Sequence, residues 1–223
     1  MSTESLYQKK YFNRLGEFAD LAPEAFKAFV QFDSLALKEG ILSAKLKELI
    51  AVAVAHTTGC PYCVELHVTQ AKNNNASKEE TSEAIMIATA LKAGSALAHG
   101  VNALNAYDDA EGEELYKEQY FSRLKEFSSL NPDAFRAFID FDTKAMKDGL
   151  LSGREKELIA IAVAHTTGCP YCISLHVQGA KKLGVTKEEI AESIMVATAL
   201  KAGSALAHGV NALNAYDQVA LHT

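Results

Sequence analysis

The chain consists of two tandem copies of one sequence unit. Residues 7–107 align with residues 116–216 at a constant offset of 109 and without a gap, and 67 of the 101 aligned positions are identical. This period is far longer than that of solenoid repeats, so each copy is predicted to be a domain-sized unit. The acidic stretch 108–115, which contains Gly112, is predicted to be an exposed linker between copy 1 (residues 1–107) and copy 2 (residues 116–223).

Each copy has the pattern of an all-α unit, with no credible strand. Apolar residues recur at helical spacing in 6–18, and Pro23 suits the first turn of a second helix over 23–38 that Gly40 would end. A third helix is predicted over 43–57 and a fourth from Cys60 to about residue 72, with Cys60 as its N-cap. Ser77 with Glu80, and Ser152 with Glu155 in copy 2, have capping-box spacing. The segment 93–107 is rich in Ala, Gly and Ser, which permits close helix packing.

Composition excludes several classes of function. Hydrophobic residues make up 48% of the chain and charged residues 22%, the usual mix of a soluble globular protein. The net charge of −6 argues against a nucleic-acid or anionic-membrane surface. Apolar runs such as 49–64 are interrupted by His, Thr, Gly and Pro, and the N-terminus lacks the apolar stretch of a signal peptide. We therefore expect no membrane span and a cytoplasmic, reducing location.

The residues that could carry chemistry form one set in each copy. All four cysteines lie in two Cys-x-x-Cys pairs, and a histidine follows four residues after the second cysteine of each pair. On a helix that begins at the first cysteine, these three side chains share a face, and the helix N-terminus favours thiolate over thiol. The histidine could accept the thiol proton, and a glutamate on the preceding helix could orient that histidine. The predicted catalytic residues are Glu48, Cys60, Cys63 and His67 in copy 1, and Glu157, Cys169, Cys172 and His176 in copy 2.

Other interpretations of these residues remain open at this stage. The cysteines and histidines could be packing residues, although the sequence HTTGCPYC is identical in both copies while 73–77 and 182–186 have diverged. Two Cys, one His and one Glu could also form a zinc site, but the spacing matches no zinc-finger pattern. His56 and His165 are predicted to bond helix-terminal carbonyls, and His99 and His208 to have structural or interface roles. Tyr62 and Tyr171 could shape access to the cysteines or be buried.

The motif resembles that of a known family. Glu48, then Cys60-Pro-Tyr-Cys63, then His67, preceded by AVAVAHTTG and followed by an Ala/Gly-rich helix, is similar to the alkylhydroperoxidase D-like branch of the carboxymuconolactone decarboxylase superfamily. The resemblance covers about residues 42–105 and 151–214. It implies an all-α fold of two tandem alkylhydroperoxidase D-like domains. Both halves carry the motif here, whereas the archetype keeps it in one half, and Tyr62 and Tyr171 stand where the archetype has a histidine.

The resemblance also implies an activity and an assembly. The implied activity is a thiol-dependent peroxidase or disulfide reductase, in which Cys63 and Cys172 attack a hydroperoxide, Cys60 and Cys169 resolve the product as disulfides, and the Glu–His pairs relay protons. The partners would be a hydroperoxide and an unknown dithiol donor, without cofactor or metal. Lactone decarboxylation and a non-catalytic redox-sensing scaffold are the alternatives. The implied assembly is a homotrimer of roughly 72 kDa, three times the chain mass of 24.1 kDa.

Overall fold

The computed structural model describes residues 6–109 and 112–218, and within those ranges every regular element is a helix. The all-α prediction is therefore confirmed. A 3₁₀ helix precedes the α-helices in each copy. In copy 1 the elements are the 3₁₀ helix Lys9–Gly16, α1 Glu17–Leu21, α2 Pro23–Leu37, α3 Ala44–Thr58, α4 Pro61–Asn73 and α5 Lys78–Tyr107; in copy 2 they are the 3₁₀ helix Glu118–Glu126, α6 Phe127–Leu130, α7 Pro132–Met146, α8 Gly153–Thr167, α9 Pro170–Lys182 and α10 Lys187–Gln218.

The first predicted helix was wrong in type. Instead of an α-helix over 6–18, the chain forms the 3₁₀ helix Lys9–Gly16 and then the short α1. No residue of this 3₁₀ helix is fully buried. Phe12 of this 3₁₀ helix stacks on Tyr62 of α4, and the helix also contacts α10 of copy 2.

The local signals for helix ends are confirmed. Ser77 and Glu80 form a complete capping box at the start of α5, as do Ser152 and Glu155 at the start of α8. Ser43 accepts a hydrogen bond from the N–H of Leu46 at the start of α3. The small-residue segment 93–107 is the second half of the single 30-residue helix α5 rather than a separate element.

The core lies around α3 and α8, one from each copy, which contact each other and both long helices. Seven consecutive residues of α3, from Leu49 to Ala55, have no exposed surface. The long helices α5 and α10 are apolar enough to cross a membrane by length and composition alone, but 44% and 39% of their most apolar windows are buried inside this fold. The core that they build accounts for part of their apolar character.

The two copies interlock through a pair of carboxylates. Glu83 of copy 1 accepts hydrogen bonds from the backbone N–H groups of Leu150 (2.9 Å) and Leu151 (3.2 Å), and its other neighbour is the ammonium of Lys156 at 3.0 Å. Lys156 is only 3% exposed. In the reciprocal bridge, Glu192 of copy 2 binds Ile41, Leu42 and Lys47 of copy 1.

The N-terminal part of each copy also packs on the long helix of the other copy. Helix α2 and the 3₁₀ helix of copy 1 contact α10, while α7 and the 3₁₀ helix of copy 2 contact α5. Phe18 lies so close to Gly209 that a Cβ there would stand 2.7 Å from the ring, and Phe127 meets Gly100 in the same way at 2.8 Å. The predicted close helix contacts of the small-residue segments are thus present, and they join one copy to the other.

Candidate functional site

Each cysteine pair sits where one helix ends and the next begins. Gly59 adopts the left-handed conformation, with φ of 72°, and ends α3. Cys60 then caps α4, because its Sγ accepts a hydrogen bond from the N–H of Cys63 at 3.2 Å, and Pro61 fills the first helical position. The predicted N-cap is confirmed, and copy 2 repeats it at Cys169. The local sequence alone therefore places both sulfurs at a helix N-terminus.

The two sulfurs of each pair are bonded to each other in the structure. Disulfides join Cys60 to Cys63 and Cys169 to Cys172, with Cα–Cα distances of 5.3 Å. Cys60 is fully buried, whereas Cys63 is 6% exposed. The second cysteine is therefore the more accessible of the two, and the backbone of the motif accommodates the oxidised state.

A buried Glu–His pair lies one helical turn from the disulfide. His67 is on the same helix as Cys63, four residues later, and its Nδ1 lies 2.9 Å from Oε2 of Glu48 on α3. His67 is 6% exposed and Glu48 is 7% exposed. In copy 2 the corresponding distance, between His176 and Glu157, is 2.8 Å. The structure thus brings together the glutamate and histidine of each predicted set, and the bond to Nδ1 leaves Nε2 free for another partner.

Aromatic side chains from the N-terminal segment of each copy cover the disulfide. We call residues 7–16 the first strap and residues 116–125 the second strap. Tyr62, between the cysteines, stacks on Phe12 of the first strap at 5.4 Å and contacts Tyr7 at 5.6 Å. Burial raises the pKa of Tyr62, so its hydroxyl stays protonated at neutral pH. The predicted burial of Tyr62 is confirmed, and its ring lies between the strap and the cysteines. In copy 2, Tyr171 packs against Phe121 and Tyr116 in the same way.

The other copy completes each site. Ala207 of α10 belongs to the same apolar cluster as Cys60 and Cys63, and the Tyr62 hydroxyl lies 3.5 Å from Oδ1 of Asn211. Ala98 of α5 has the equivalent place beside Cys169 and Cys172. Each disulfide is therefore enclosed by its own copy's strap and by the long helix of the other copy.

Each strap is held to the other copy's long helix by an arginine. Arg14 donates to Oδ1 of Asn214 at 2.6 Å and to Oδ2 of Asp217 at 2.7 Å, and it also pairs with Glu17. Arg123 of the second strap makes the corresponding bonds to Asn105, Asp108 and Glu126. Neighbouring carboxylates, led by Glu17, raise the pKa of Arg14, so the guanidinium is charged at any physiological pH.

The histidines of the long helices contact the straps as well. Nδ1 of His99 lies 3.0 Å from the hydroxyl of Tyr116, and Nδ1 of His208 lies 3.4 Å from the hydroxyl of Tyr7. The predicted structural or interface role of His99 and His208 is thus confirmed. Nδ1 of His56 lies 2.8 Å from the carbonyl of Val52, and His165 repeats this contact, so these rings bond carbonyls of their own helices one turn earlier.

Two clefts open on either side of α4 in copy 1. An aromatic cleft of about 440 Å³ lies between the first strap and α4, and its walls include Tyr7, Phe12 and Tyr62. A more polar cleft of about 620 Å³ lies between α2 and α4, where Glu48 and His67 reach its surface. Leu66 borders both clefts. The Glu–His pair therefore reaches solvent on the side of α4 that faces α2.

Comparison with known protein families finds two matching segments in the chain. The model of the carboxymuconolactone decarboxylase family matches residues 23–106 and again residues 132–215. The chain belongs to the carboxymuconolactone decarboxylase family. Each copy contributes one complete match, so the tandem organisation is a duplication of the family's own unit.

Two sequence relatives of this family member have about the length of one copy. An uncharacterised protein of the cox locus of Paracoccus denitrificans is 47% identical over 83 residues, which span 37% of this chain and 75% of the relative. An uncharacterised protein of Cupriavidus necator is 35% identical over 111 residues, spanning 49% of this chain and 97% of the relative. The fold matches a chain from Burkholderia xenovorans, provisionally assigned as a gamma-carboxymuconolactone decarboxylase subunit, with a TM-score of 0.66, 21% identity, and coverage of 93% of this chain and 95% of that one.

One polar residue near each Glu–His pair was missed by the sequence interpretation. Asp33 of α2 is half-buried and lines the polar cleft together with Glu48 and His67. Asp142 occupies the equivalent position in copy 2. The available signal was a carboxylate on the apolar side of a helix, four residues after Phe29 and four before Leu37, at the same place in both copies.

The zinc alternative finds no support in the described side chains. Among residues 6–109 and 112–218, no three His, Cys, Asp or Glu side chains are gathered closely enough to hold a metal ion. The cysteines of each pair bond each other, and the histidine bonds the glutamate. The predicted set therefore divides into a disulfide and a hydrogen-bonded Glu–His pair.

Proposed function

We propose that the protein is a thiol-dependent hydroperoxide reductase that works in the cytoplasm, with one redox-active dithiol in each copy. The observation that carries the proposal is a disulfide-forming cysteine pair at a helix N-terminus, one turn from a buried histidine held by a glutamate. A helix N-terminus stabilises thiolate, and a histidine with one nitrogen fixed by a carboxylate is oriented to accept a proton on the other. Both features occur in both copies.

The difference in exposure between the two sulfurs supports different roles for them. The thiolate of Cys63 attacks a hydroperoxide oxygen, the O–O bond breaks, and the alcohol leaves after taking up a proton, so that Cys63 becomes a sulfenic acid. The buried sulfur of Cys60 then attacks Cys63, water leaves, and the disulfide forms. An external dithiol returns two electrons and two protons. His67 takes the thiol proton at the start and supplies a proton to the leaving oxygen.

The test is consumption of an organic hydroperoxide by the protein with and without a dithiol reductant. We expect turnover that requires the dithiol, and mass spectrometry of the peroxide-treated protein should find a sulfenic acid or disulfide at Cys63 and Cys172. Absence of both hydroperoxide loss and cysteine oxidation would contradict the proposal.

Lactone decarboxylation is the second candidate. The family name and the Burkholderia xenovorans structure favour it, and the Glu48–His67 pair could move a proton for such a reaction without the cysteines. The two candidates differ in their need for sulfur. Lactone consumption that survives complete alkylation of the cysteines would support the decarboxylase and contradict the reductase.

We also propose that three chains assemble into a homotrimer of roughly 72 kDa, three times 24.1 kDa. The outward face of α5 carries Met86, Thr89, Ala93, Ala96 and Ala103, all exposed within the chain, and α10 repeats them. Ala93, Ala96 and Ala103 are small and lie three and seven residues apart, so another helix can approach this face closely. Light scattering at micromolar concentration tests this, and a mass near that of one or two chains would contradict it.

A further inference from the structure

The two Glu–His pairs have different neighbours on the helix that carries the histidine. Three residues after His176, on the same face of α9, stands Gly179, whereas the aligned residue of copy 1 is Gln70. A Cβ added at Gly179 would stand 2.6 Å from Oε1 and 2.9 Å from Cδ of Glu157, which is too close for a real Cβ. The carboxylate that bonds His176 therefore occupies the space that a side chain at residue 179 would need.

Copy 1 does not have this space for its carboxylate. The side chain of Gln70 begins where the Glu157 carboxylate lies in copy 2, because α4 and α9 carry the motif at the same helix positions. Glu48 nevertheless bonds His67 at 2.9 Å, and the corresponding bond in copy 2 measures 2.8 Å. The carboxylate thus reaches the ring from a different position in each copy.

The pair of copy 2 is also the more exposed of the two. The side chains of Glu157 and His176 are 17% and 11% exposed, whereas those of Glu48 and His67 are 10% and 7% exposed. In copy 1, Gln70 lines the polar cleft beside the pair, so its side chain shields the pair from water on that side. Water screens the attraction between a carboxylate and a protonated ring, and a shielded carboxylate therefore stabilises that ring more strongly.

We infer that Gln70 and Gly179 are positioning residues that make the two dithiol sites unequal. Each sets where the carboxylate stands and how far water reaches it. Through the histidine, each also sets how readily the neighbouring thiol gives up its proton. The shielded pair of copy 1 favours the thiolate of Cys63 more than the open pair of copy 2 favours that of Cys172. The inference rests on the proposed function, in which the histidine accepts the thiol proton.

Most ionisable side chains around the two sites are matched between the copies. Around the first pair they are Asp33 and Lys38 of α2, His56 of α3, Tyr62 of α4, Tyr7 of the first strap and His208 of α10, and the aligned residues of the second site are Asp142, Lys147, His165, Tyr171, Tyr116 and His99. Unmatched charges, such as Lys144 of copy 2 and Lys9 with Glu65 of copy 1, are exposed. Substitutions at residues 70 and 179 leave all these groups in place, so a change of reactivity between variant and wild type cannot come from them.

The test is the rate at which iodoacetamide alkylates each cysteine of the reduced protein, measured by mass spectrometry as the rate at pH 6 divided by the rate at pH 10. The rate at pH 10, above the ordinary thiol pKa of about 8.5, reports access alone. Gly179→Gln should raise this ratio for Cys172 by about two- to threefold, because the added side chain moves Glu157 to the shielded position. Gln70→Gly should lower the ratio for Cys63 by a similar factor.

The variants should fold and can be checked within one chain. A glutamine at this position is native to copy 1, and only the end of the flexible Glu157 side chain has to move. In each variant the cysteine of the other copy should keep its ratio. Gln178→Ala changes the same helical turn without adding atoms beside Glu157, so Cys172 should be unaffected. In a Glu157→Gln background, Gly179→Gln should have no effect, since its influence passes through the carboxylate.

The test contains no hydroperoxide, so its outcome is separate from that of the reductase proposal. If the protein consumes no hydroperoxide but Gly179→Gln raises the Cys172 ratio and Gln70→Gly lowers the Cys63 ratio, the reductase proposal fails and the inequality of the sites stands. If either ratio stays unchanged or moves in the other direction, or if Gly179→Gln acts equally in the Glu157→Gln background, the inference is overturned whatever the activity.

Discussion

At the scale of single residues, the two cysteines of a pair are chemically alike but differently placed. Cys63 is slightly exposed and Cys60 is not, and both copies share this arrangement. We therefore predict that Cys63→Ser or Cys172→Ser alone leaves about half of the hydroperoxide turnover, and that the double variant loses turnover by about 100-fold or more. A coupled peroxidase assay measures this. Loss of all activity in a single variant would show that only one copy works or that the sites are coupled.

The histidines act through the same sulfurs. Replacing His67 and His176 by Ala removes the bases that the Glu48 and Glu157 contacts orient. We predict that turnover falls by about 10²- to 10³-fold, the usual contribution of a general base, and that Cys63 and Cys172 become reactive only at higher pH. Alkylation kinetics between pH 5 and 10 measure the second effect. An unchanged pH profile would remove the histidines from the relay.

At the scale of elements, each strap covers the disulfide of its own copy. The 3₁₀ helix of the first strap has no fully buried residue. The strap is held by the stacking of Phe12 on Tyr62 and by the hydrogen bond from Arg14 to Asn214 of α10. We predict that Arg14→Ala speeds reduction of the Cys60–Cys63 disulfide by a small thiol several-fold, because the strap opens more often. Mass spectrometry after quenched reduction measures each disulfide separately.

The Cys169–Cys172 disulfide of copy 2 is the matched control for this prediction. Arg14→Ala should leave reduction of Cys169–Cys172 unchanged, and Arg123→Ala should produce the reverse pattern. Equal acceleration at both disulfides in Arg14→Ala would indicate general loosening of the fold instead of local opening of one strap.

Glycines of the long helices lie against aromatic side chains of the other copy. An added Cβ at Gly100 would stand 2.8 Å from the ring of Phe127, whereas at Gly94 the nearest ring atom, of Phe138, is 3.5 Å away. Alanine improves helix propensity at either position by about 0.5–1 kcal/mol. We predict that Gly94→Ala raises the free energy of unfolding by about that amount and that Gly100→Ala lowers it, since Phe127 must move. Urea titration measures both, and equal stabilisation would show that the contact at Gly100 is loose.

At the scale of the whole molecule, two carboxylates hold the copies together. Burial alone would raise the pKa of Glu83, but the N–H groups of Leu150 and Leu151 and the ammonium of Lys156 outweigh it, so the pKa lies below its ordinary value of 4.5. The pKa of Glu192 is lowered in the same way, because the N–H groups of Leu42 and Ile41 and the ammonium of Lys47 outweigh its burial. A lowered pKa in the folded state means that this stabilisation is complete above pH 4.5 and is lost as the pH falls through the folded value. Acid should therefore loosen the interface between the copies.

The corresponding variant is Glu83→Ala. It leaves Lys156 buried without its carboxylate, so we predict a loss of about 2–4 kcal/mol in the free energy of unfolding at pH 7. The loss should shrink at lower pH, where wild-type Glu83 is protonated. Lys92→Ala, an exposed change on the same helix, should stay within about 0.5 kcal/mol. A Glu83→Ala penalty that is independent of pH between 3 and 7 would contradict the ionic account.

The sequence by itself determined the duplication, the helical fold, the helix caps and the pairing of cysteines with Glu and His, because each depends on spacing within one copy. Only the tertiary structure decided how the copies meet. Arg14 bonds a residue 200 positions away, Glu83 bonds one 67 positions away, and Asp33 of α2 lines the same cleft as His67 of α4. Helical periodicity states which residues share a face, but it carries no information about which face of another helix they oppose.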